Sequence, residues 1–146
     1  MSQVPRVISG SFADNICLGH AERPLASAIE VAQLGPDVTT AGGVDAAIGN
    51  KGVRLSGGQV QRLALARALA TGSELLVADD ISSALDAATE LKVWQALRGS
   101  GQTVIGSTSK AAALEMADAV IVLEKGRVAA IGTWRDLAPK WHHLAG

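Results

Sequence analysis

A serine and two glycines stand directly before a strongly helical pattern, and these residues are well suited to chemistry. Leu55-Ser56-Gly57-Gly58-Gln59 runs without interruption into the string VQRLALARAL at residues 60–69. The first backbone N–H groups of a helix have no internal partners and together carry about half a positive charge. Because glycines let a polyphosphate approach those groups, the pattern predicts a phosphate site at a helix N-terminus.

Two adjacent carboxylates form the second candidate site. Leu75-Leu76-Val77-Ala78 is a short apolar run that predicts a strand buried on both faces of a parallel sheet, and it ends in Asp79-Asp80. Open α/β sheets place ligands at the carboxyl ends of their strands, and carboxylates buried there need a cation or a donor. A magnesium-nucleotide would meet that need, whereas the alternative is a solvated acidic turn.

The elements that position both sites alternate between helix and strand. The stretch 9–19 predicts a turn and a short apolar piece, and a helix at 26–34 should stop at Gly35-Pro36 before a glycine-rich loop at 37–51. The later helices and strands are predicted, in chain order, from the N-cap Asp86 to 98, at 103–105, 111–117, 120–123 and 128–131. This alternation predicts an α/β fold with a parallel sheet and, around Gly126, a C-terminal β-hairpin.

Composition narrows the class of protein. The 146 residues suit one domain, and 13 basic against 14 acidic residues argue against nucleic acid and anionic lipid as partners. Cys17 is the only cysteine, so an internal disulfide is excluded, and with three scattered histidines a Cys/His zinc site is excluded as well. A chain without disulfides fits a reducing cytosol. No apolar run reaches the ~18 residues of a membrane span. The hydrophobic fraction of 48% predicts surface meant for a partner.

The string LSGGQ, followed after Val60 by QRLALARAL, resembles the signature motif of the ATP-binding cassette (ABC) family, the ATPases that drive ABC transporters. The resemblance implies a partial P-loop NTPase (ABC ATPase) fold with parallel core strands and a helical signature subdomain. It also implies ATP and Mg²⁺ as cofactors, bound only in a completed or dimeric site. In this family the signature of one subunit closes on an ATP held by another, so Leu55 to Gln59 would bind nucleotide in trans.

The stretch from Leu75 to Asp80 resembles the Walker B strand of the same family. By that resemblance Asp79 would hold Mg²⁺, directly or through water, and Asp80 stands where the family usually has a glutamate general base. Ser109, in a stretch that resembles the switch loop, replaces the usual histidine and removes its imidazole contact with the γ-phosphate. Both substitutions argue against ATP hydrolysis by the isolated chain.

Two further segments resemble loops of exporter-type members. Gln3-Val4-Pro5 resembles the Q-loop, so Gln3 would approach Mg²⁺ and the attacking water. Ser83-Ala84-Leu85-Asp86 resembles the D-loop, which crosses the dimer interface in the family and would bring Asp86 to the nucleotide. Asp86 is equally explained as a helix N-cap, and the two roles are compatible.

One motif of the family does not occur. The 146 residues contain no Gly-x-x-x-x-Gly-Lys-Ser/Thr string, so the Walker A loop and its strand are absent. We expect a single truncated ABC ATPase domain over 1–146, with the Q-loop and helical signature subdomain at about 1–72 and the region from Walker B to the C-terminal part of the catalytic core at 73–146. The missing strand predicts two unpaired edges, at 103–105 and 120–123, that a different closure, strand exchange or another polypeptide would satisfy.

Three functions are compatible with this pattern. The first is an ABC transporter subunit or fragment, in the cytoplasm or on the cytoplasmic face of the membrane. Its implied partners are another nucleotide-binding domain, as a homo- or heterodimer, and transporter membrane domains. The second is a non-enzymatic interaction or regulatory module that docks on an intact nucleotide-binding domain. The third is an independent ATPase, which requires phosphate contacts that the sequence does not contain.

Overall fold

The computed structural model describes residues 5–19, 24–50 and 52–145, which belong to two compact units. The first unit, up to Ser107, contains β1 (Gly10–Ser11), α1 (Phe12–Cys17), α2 (Leu25–Val31), α3 (Gly35–Ala41), β2 (Ala47–Ile48), α4 (Gly57–Ala70), β3 (Leu75–Asp79), α5 (Ala87–Gly99) and β4 (Thr103–Ser107). The second unit, from Thr108, contains α6 (Ala111–Met116), β5 (Val120–Glu124), β6 (Arg127–Gly132), α7 (Trp134–Trp141) and a 3₁₀ turn at His142–Leu144.

Helix α4 is the centre of the first unit. Its sequence is rich in alanine and leucine, the strongest helix formers, and α1 and α2 both pack against it. Leu63, Leu65 and Leu69 are almost fully buried, together with Phe12 and Ile16 of α1. A helix that is apolar on most of its circumference is stable only inside a core. The helix that carries the predicted phosphate site is therefore held rigidly by its neighbours.

Strands β3 and β4 form a parallel pair, as the sequence predicts. Asp79 is the register partner of Ser107, so the two strands end together at one edge of the sheet. The predicted burial of β3 on both faces is wrong. Leu76 and Ala78 join the core, but Leu75 is 47% exposed and Val77 is 56% exposed. Side chains alternate between the faces of a strand, and the core of this unit packs against only one of them.

The two predicted unpaired strand edges are found in the described residues. In the first unit β4 is hydrogen-bonded to β3 alone, and in the second unit β5 pairs in antiparallel fashion with β6 alone. Each of the two predicted strands therefore belongs to a two-stranded sheet and has one edge without a strand partner in that sheet.

The second unit confirms the predicted C-terminal hairpin. Lys125 and Gly126 both have positive φ, which gives the turn a twist that matches the flanking strands. Val120 and Val122 of β5 pack with Trp134 and Trp141 into a small core. No described helix, in either unit, is both long and apolar enough to cross a membrane.

Two local predictions differ from the structure. Gly35-Pro36 begins helix α3 instead of only stopping the helix before it, because a proline fits the first helical turn, where its missing N–H is not needed. The predicted loop at 37–51 therefore contains most of a helix and the short strand β2. In the stretch 9–19, Ser11 and Asp14 form a capping box that begins α1, where a turn and a short apolar piece are predicted.

Candidate functional site

Ser56 begins helix α4 with a reciprocal pair of hydrogen bonds. Its hydroxyl accepts from the Gln59 backbone N–H at 3.3 Å, and its own backbone N–H donates to Gln59 Oε1 at 2.7 Å. This capping box fixes the first turn while Ser56 and Gly57 stay exposed. The N–H groups at the start of the helix have no intrahelical acceptors, so the turn presents donors to solvent.

Asp37 of α3 holds the far end of the same motif. Its carboxylate accepts from Gln59 Nε2 at 2.6 Å and from the Arg62 guanidinium at 2.6 Å. The side chains of Arg62 and Asp37 are only 14% and 15% exposed, and Arg62 also donates to the backbone carbonyl of Gln33. The amide of Gln59 is thus bound on both sides. This contact joins residues 22 positions apart, and no local spacing in the sequence indicates it.

The two glycines of the motif differ in their surroundings. A Cβ added to Gly58 would lie 2.9 Å from the backbone oxygen of Ala84 and 3.3 Å from a methyl of Leu85. A Cβ added to Gly57 would meet only the side chain of Ala84, at an ordinary 3.6 Å. Gly58 is therefore required by close packing within the chain, whereas Gly57 lies at the open mouth of the helix.

Gln61, one turn further along α4, binds the same segment. Its Nε2 donates to Ser83 Oγ at 2.7 Å, and its Oε1 accepts from the Ala84 backbone N–H at 3.0 Å. The structure therefore brings the predicted signature and the predicted D-loop into direct contact inside one chain. Sequence reasoning assigned no individual role to Gln61, because its two partners lie 22 and 23 residues further along the chain.

Asp86 is the N-cap of α5, which confirms the helix start predicted there. Its carboxylate accepts from the Thr89 backbone N–H at 3.0 Å and from Thr89 Oγ1 at 2.7 Å. These hydrogen bonds to the charged form lower the pKa of Asp86 below its ordinary value. The nucleotide-binding role of Asp86 stays a prediction.

The paired carboxylates lie at the carboxyl edge of the β3–β4 sheet. Asp79 is exposed, and its carboxylate accepts a hydrogen bond from the Ser107 hydroxyl at the end of β4. Asp80 has a φ of 48°, in the left-handed region, and its backbone N–H donates to the Ser107 carbonyl at 3.0 Å. The chain therefore turns sharply directly after Asp79.

Asp79 and Asp80 do not form a complete metal site by themselves. Among the residues that the structure describes, no three or more His, Cys, Asp or Glu side chains come together as a metal site would require. Mg²⁺ in phosphate-handling sites takes one or two carboxylates and completes its six ligands with phosphate oxygens and water. The exposed Asp79 suits that partial role, and the remaining ligands would have to come from a nucleotide, water or residues outside this set.

Two predicted site residues remain. Gln3 falls outside the described residues. Ser109 is exposed in the loop that begins the second unit, next to Thr108, whose hydroxyl accepts from the Lys110 backbone N–H at 3.0 Å. Their assigned roles stay predictions.

Comparisons with known proteins agree on one family. The family profile described as "ABC transporter" matches residues 3–83. The chain is 36% identical over 146 residues to the "ATP-dependent lipid A-core flippase" of Alkalilimnicola ehrlichii, covering 95% of this chain and 25% of that protein. It is 38% identical over 144 residues to the "Multidrug resistance-like ATP-binding protein MdlA" of Escherichia coli, covering 94% and 24%.

A solved structure gives the same result for the fold. The "Structure of a bacterial Atm1-family ABC exporter with ATP bound" superposes with a TM-score of 0.82 at 28% identity, covering 97% of this chain and 26% of that one. The predicted family and the predicted P-loop NTPase fold class are both confirmed. The chain spans about a quarter of the length of the curated relatives it matches.

Proposed function

The chain belongs to the ABC transporter family, and from this premise we propose that its LSGGQ motif binds, in trans, an ATP held by a second nucleotide-binding domain. The observation that carries the proposal is the start of α4. Ser56 and Gly57 are exposed there, while Gln59 is fixed by Ser56 and Asp37. A phosphate-binding turn that is ordered before the nucleotide arrives loses little conformational entropy on binding.

The chemistry offered by this turn is recognition of an anion. The backbone N–H groups at Gly57 and Gly58 and the hydroxyl of Ser56 are donors at the positive end of a helix. They include no group that activates water. The role of Leu55 to Gln59 is therefore to complete an ATP site and to align its terminal phosphate, with the base and the cation on the other side of the interface.

We propose further that the chain does not hydrolyse ATP by itself. Its 146 residues contain no Walker A string, whose backbone and lysine hold the β- and γ-phosphates in this class. In a completed site Asp79 and Gln3 would contribute to Mg²⁺ binding, and the bound cation would neutralise phosphate charge. Asp80 and Ser109 would then occupy the general-base and switch positions with shorter or non-imidazole side chains.

The proposed setting is an ABC exporter. The partners are another nucleotide-binding domain, identical or different, and transporter membrane domains, which locates the chain at the cytoplasmic face of a membrane. Support comes from relatives whose names describe a lipid A-core flippase and a multidrug resistance-like ATP-binding protein. The proposed domain organisation is part of an ABC ATPase domain over 1–146, with the Q-loop and helical signature subdomain up to about residue 72 and part of the catalytic core after it.

A regulatory module that docks on an intact nucleotide-binding domain is the second candidate. It is favoured by the apolar face of the β3–β4 sheet, where Leu75, Val77 and Ile105 are each about half exposed. Docking through that face would depend neither on ATP nor on Ser56. The two candidates therefore differ in whether association requires nucleotide.

The test is Mg-ATP binding by calorimetry and phosphate release by the purified chain, with Ser56→Arg as the control. We expect neither binding nor hydrolysis by the chain alone, because the phosphate loop is missing. Hydrolysis by the wild-type chain that disappears in the Ser56→Arg variant would contradict the proposal. It would show that the chain assembles a full phosphate site from its own residues.

A further inference from the structure

Gln61 connects the signature helix to the end of strand β3 through a buried amide. Only 7% of its surface is exposed, and both ends of the amide are hydrogen-bonded to the segment at Ser83 and Ala84. A buried amide that loses one of these partners is left unsatisfied, which is costly. Helix α4 and this segment are therefore linked by a contact that favours their moving together.

The direction of each hydrogen bond follows from the chemistry of the partners. The Ala84 backbone N–H can only donate, so Oε1 of Gln61 must face it, and Nε2 must face Ser83 Oγ. The Ser83 hydroxyl, having accepted from Gln61, is free to donate to the Asp80 backbone carbonyl at 3.1 Å. A continuous relay thus runs from Gln61 through Ser83 to Asp80.

The relay begins one turn from the proposed phosphate site and ends at the residue in the general-base position. Gly58 packs so closely against the Ala84 carbonyl that an added Cβ would lie 2.9 Å from its oxygen. The first turn of α4 is therefore in tight contact with the segment at Ser83 and Ala84. Asp80 itself has a left-handed φ of 48°, and the Ser83 backbone N–H also points to its carbonyl, at 3.4 Å. The turn at Asp80 is therefore held from the helix side.

We propose that Gln61 is a positioning residue that couples phosphate binding at the signature to the placement of Asp80 in the same chain. The inference rests on the proposed function of the signature, and it adds a path by which one nucleotide site affects the other. Gln61 touches no phosphate in this scheme. It acts by holding Ser83 and Ala84 in register with the start of α4.

The first test is independent of ATP and uses the full chain. Backbone hydrogen exchange at Ala84 is measured for the wild type, for Gln61→Leu, and for Gln95→Leu, the same change at an exposed site on α5. We expect Gln61→Leu to raise the exchange rate at Ala84 by about tenfold or more, because the Ala84 backbone N–H loses its buried acceptor, Gln61 Oε1. Gln95→Leu should leave it unchanged. An unaltered rate in folded Gln61→Leu would overturn the inference.

A glutamate at the same position separates the two halves of the relay. The carboxylate of Gln61→Glu still accepts from the Ala84 N–H, but it has no hydrogen to donate to Ser83. The Ser83 hydroxyl would then turn toward the new carboxylate and release the Asp80 carbonyl. We therefore expect Ala84 protection within about threefold of the wild type, since that acceptor is retained. Loss of protection equal to that of the leucine variant would contradict the assigned bond directions.

The functional arm mixes the chain with an exporter nucleotide-binding domain that has an intact P-loop but whose own signature serine is replaced by arginine. It measures backbone hydrogen exchange at Asp80, whose N–H donates to the Ser107 carbonyl, with and without Mg-ATP. We expect ATP-dependent association to slow this exchange at least about threefold in the wild-type chain and to leave it unchanged in Gln61→Leu and Ser83→Ala. Equal slowing in these variants would overturn this inference alone. Association that survives Ser56→Arg would overturn the proposed function.

Discussion

The start of α4 and the carboxyl edge of the β3–β4 sheet are the two predicted nucleotide-binding regions, and they differ in how firmly contacts within the chain fix them. Around Ser56 a capping box, the Asp37 carboxylate and the close packing of Gly58 fix the turn, while Ser56 and Gly57 stay exposed. At the sheet edge Asp79 is exposed, and the hydroxyl of Ser107 donates to its carboxylate. The start of α4 is thus fixed by contacts within the chain, whereas the carboxylate at the sheet edge is open to solvent.

This difference supports the proposal that the chain supplies hydrogen-bond donors to a nucleotide site that it shares with a second domain. Hydrogen-bond donors that are fixed in advance bind a phosphate with little loss of entropy. They are enough for a nucleotide that a second domain already holds. Variants at the two regions test this difference, and the expected loss of stability decreases from the start of α4 to the sheet edge.

The largest effect is expected from Asp37→Ala. Removing this carboxylate leaves the Arg62 guanidinium and the Gln59 amide without their shared partner in a mostly buried position. We expect a loss of about 3 kcal/mol in the free energy of unfolding, the order seen when one partner of a buried ion pair is removed. Urea unfolding measures it, with Asp45→Ala at an exposed site as the control. A loss equal to that of the control would show that the turn is not held from α3.

A smaller effect is expected at the glycines. Gly58→Ala should cost about 2 kcal/mol, because its Cβ would press on the Ala84 backbone oxygen, which cannot easily move. Gly57→Ala should be neutral or stabilising by less than about 1 kcal/mol, because alanine suits a helix better and meets only ordinary contacts. Equal costs for the two variants in urea unfolding would contradict the assigned packing.

A pH dependence should follow from the cap of α5. The pKa of Asp86 is lowered below 3.8 in the folded chain, so its contribution to stability is present above that pH and is lost as the pH falls through the folded value. Asp86→Asn keeps a capping side chain but removes the titration. We expect the thermal midpoint of the variant to fall less than that of the wild type between pH 5 and about pH 2.5. Parallel curves would contradict this assignment.

The smallest effect is expected from Asp79→Asn. The side chain is exposed, and the new amide oxygen can still accept from the Ser107 hydroxyl. We expect the free energy of unfolding to change by less than about 0.5 kcal/mol. Urea unfolding of Asp79→Asn beside Asp37→Ala sharpens the comparison. A loss above about 2 kcal/mol at Asp79 would mean that the sheet edge is as complete as the start of α4.

Features with a local cause could be predicted from the sequence. Ser56 and Gln59 are three residues apart, as are Asp86 and Thr89, and caps of this spacing depend on few other residues. The Lys125-Gly126 turn and the parallel pairing of β3 with β4 also follow from short patterns. The motif itself sufficed to identify the family.

Features that depend on distant partners could not be predicted. The contact of Asp37 with Arg62 spans 25 residues, and Gln61 reaches Ser83 over 22. The apolar run of β3 has the same appearance whether one face or two are covered, so the exposure of Val77 was not evident from the sequence. Gly35-Pro36 is compatible both with the end of one helix and with the start of the next, and here the next helix begins at once.

The most direct test of the account is a complementation assay. An exporter nucleotide-binding domain with an intact P-loop, but with its own signature serine replaced by arginine, is mixed with this chain, and phosphate release is followed with Mg-ATP. We expect the wild-type chain to restore turnover and the Ser56→Arg chain to restore none. Turnover restored equally by both chains would contradict the account, because the chain would then act without its signature motif.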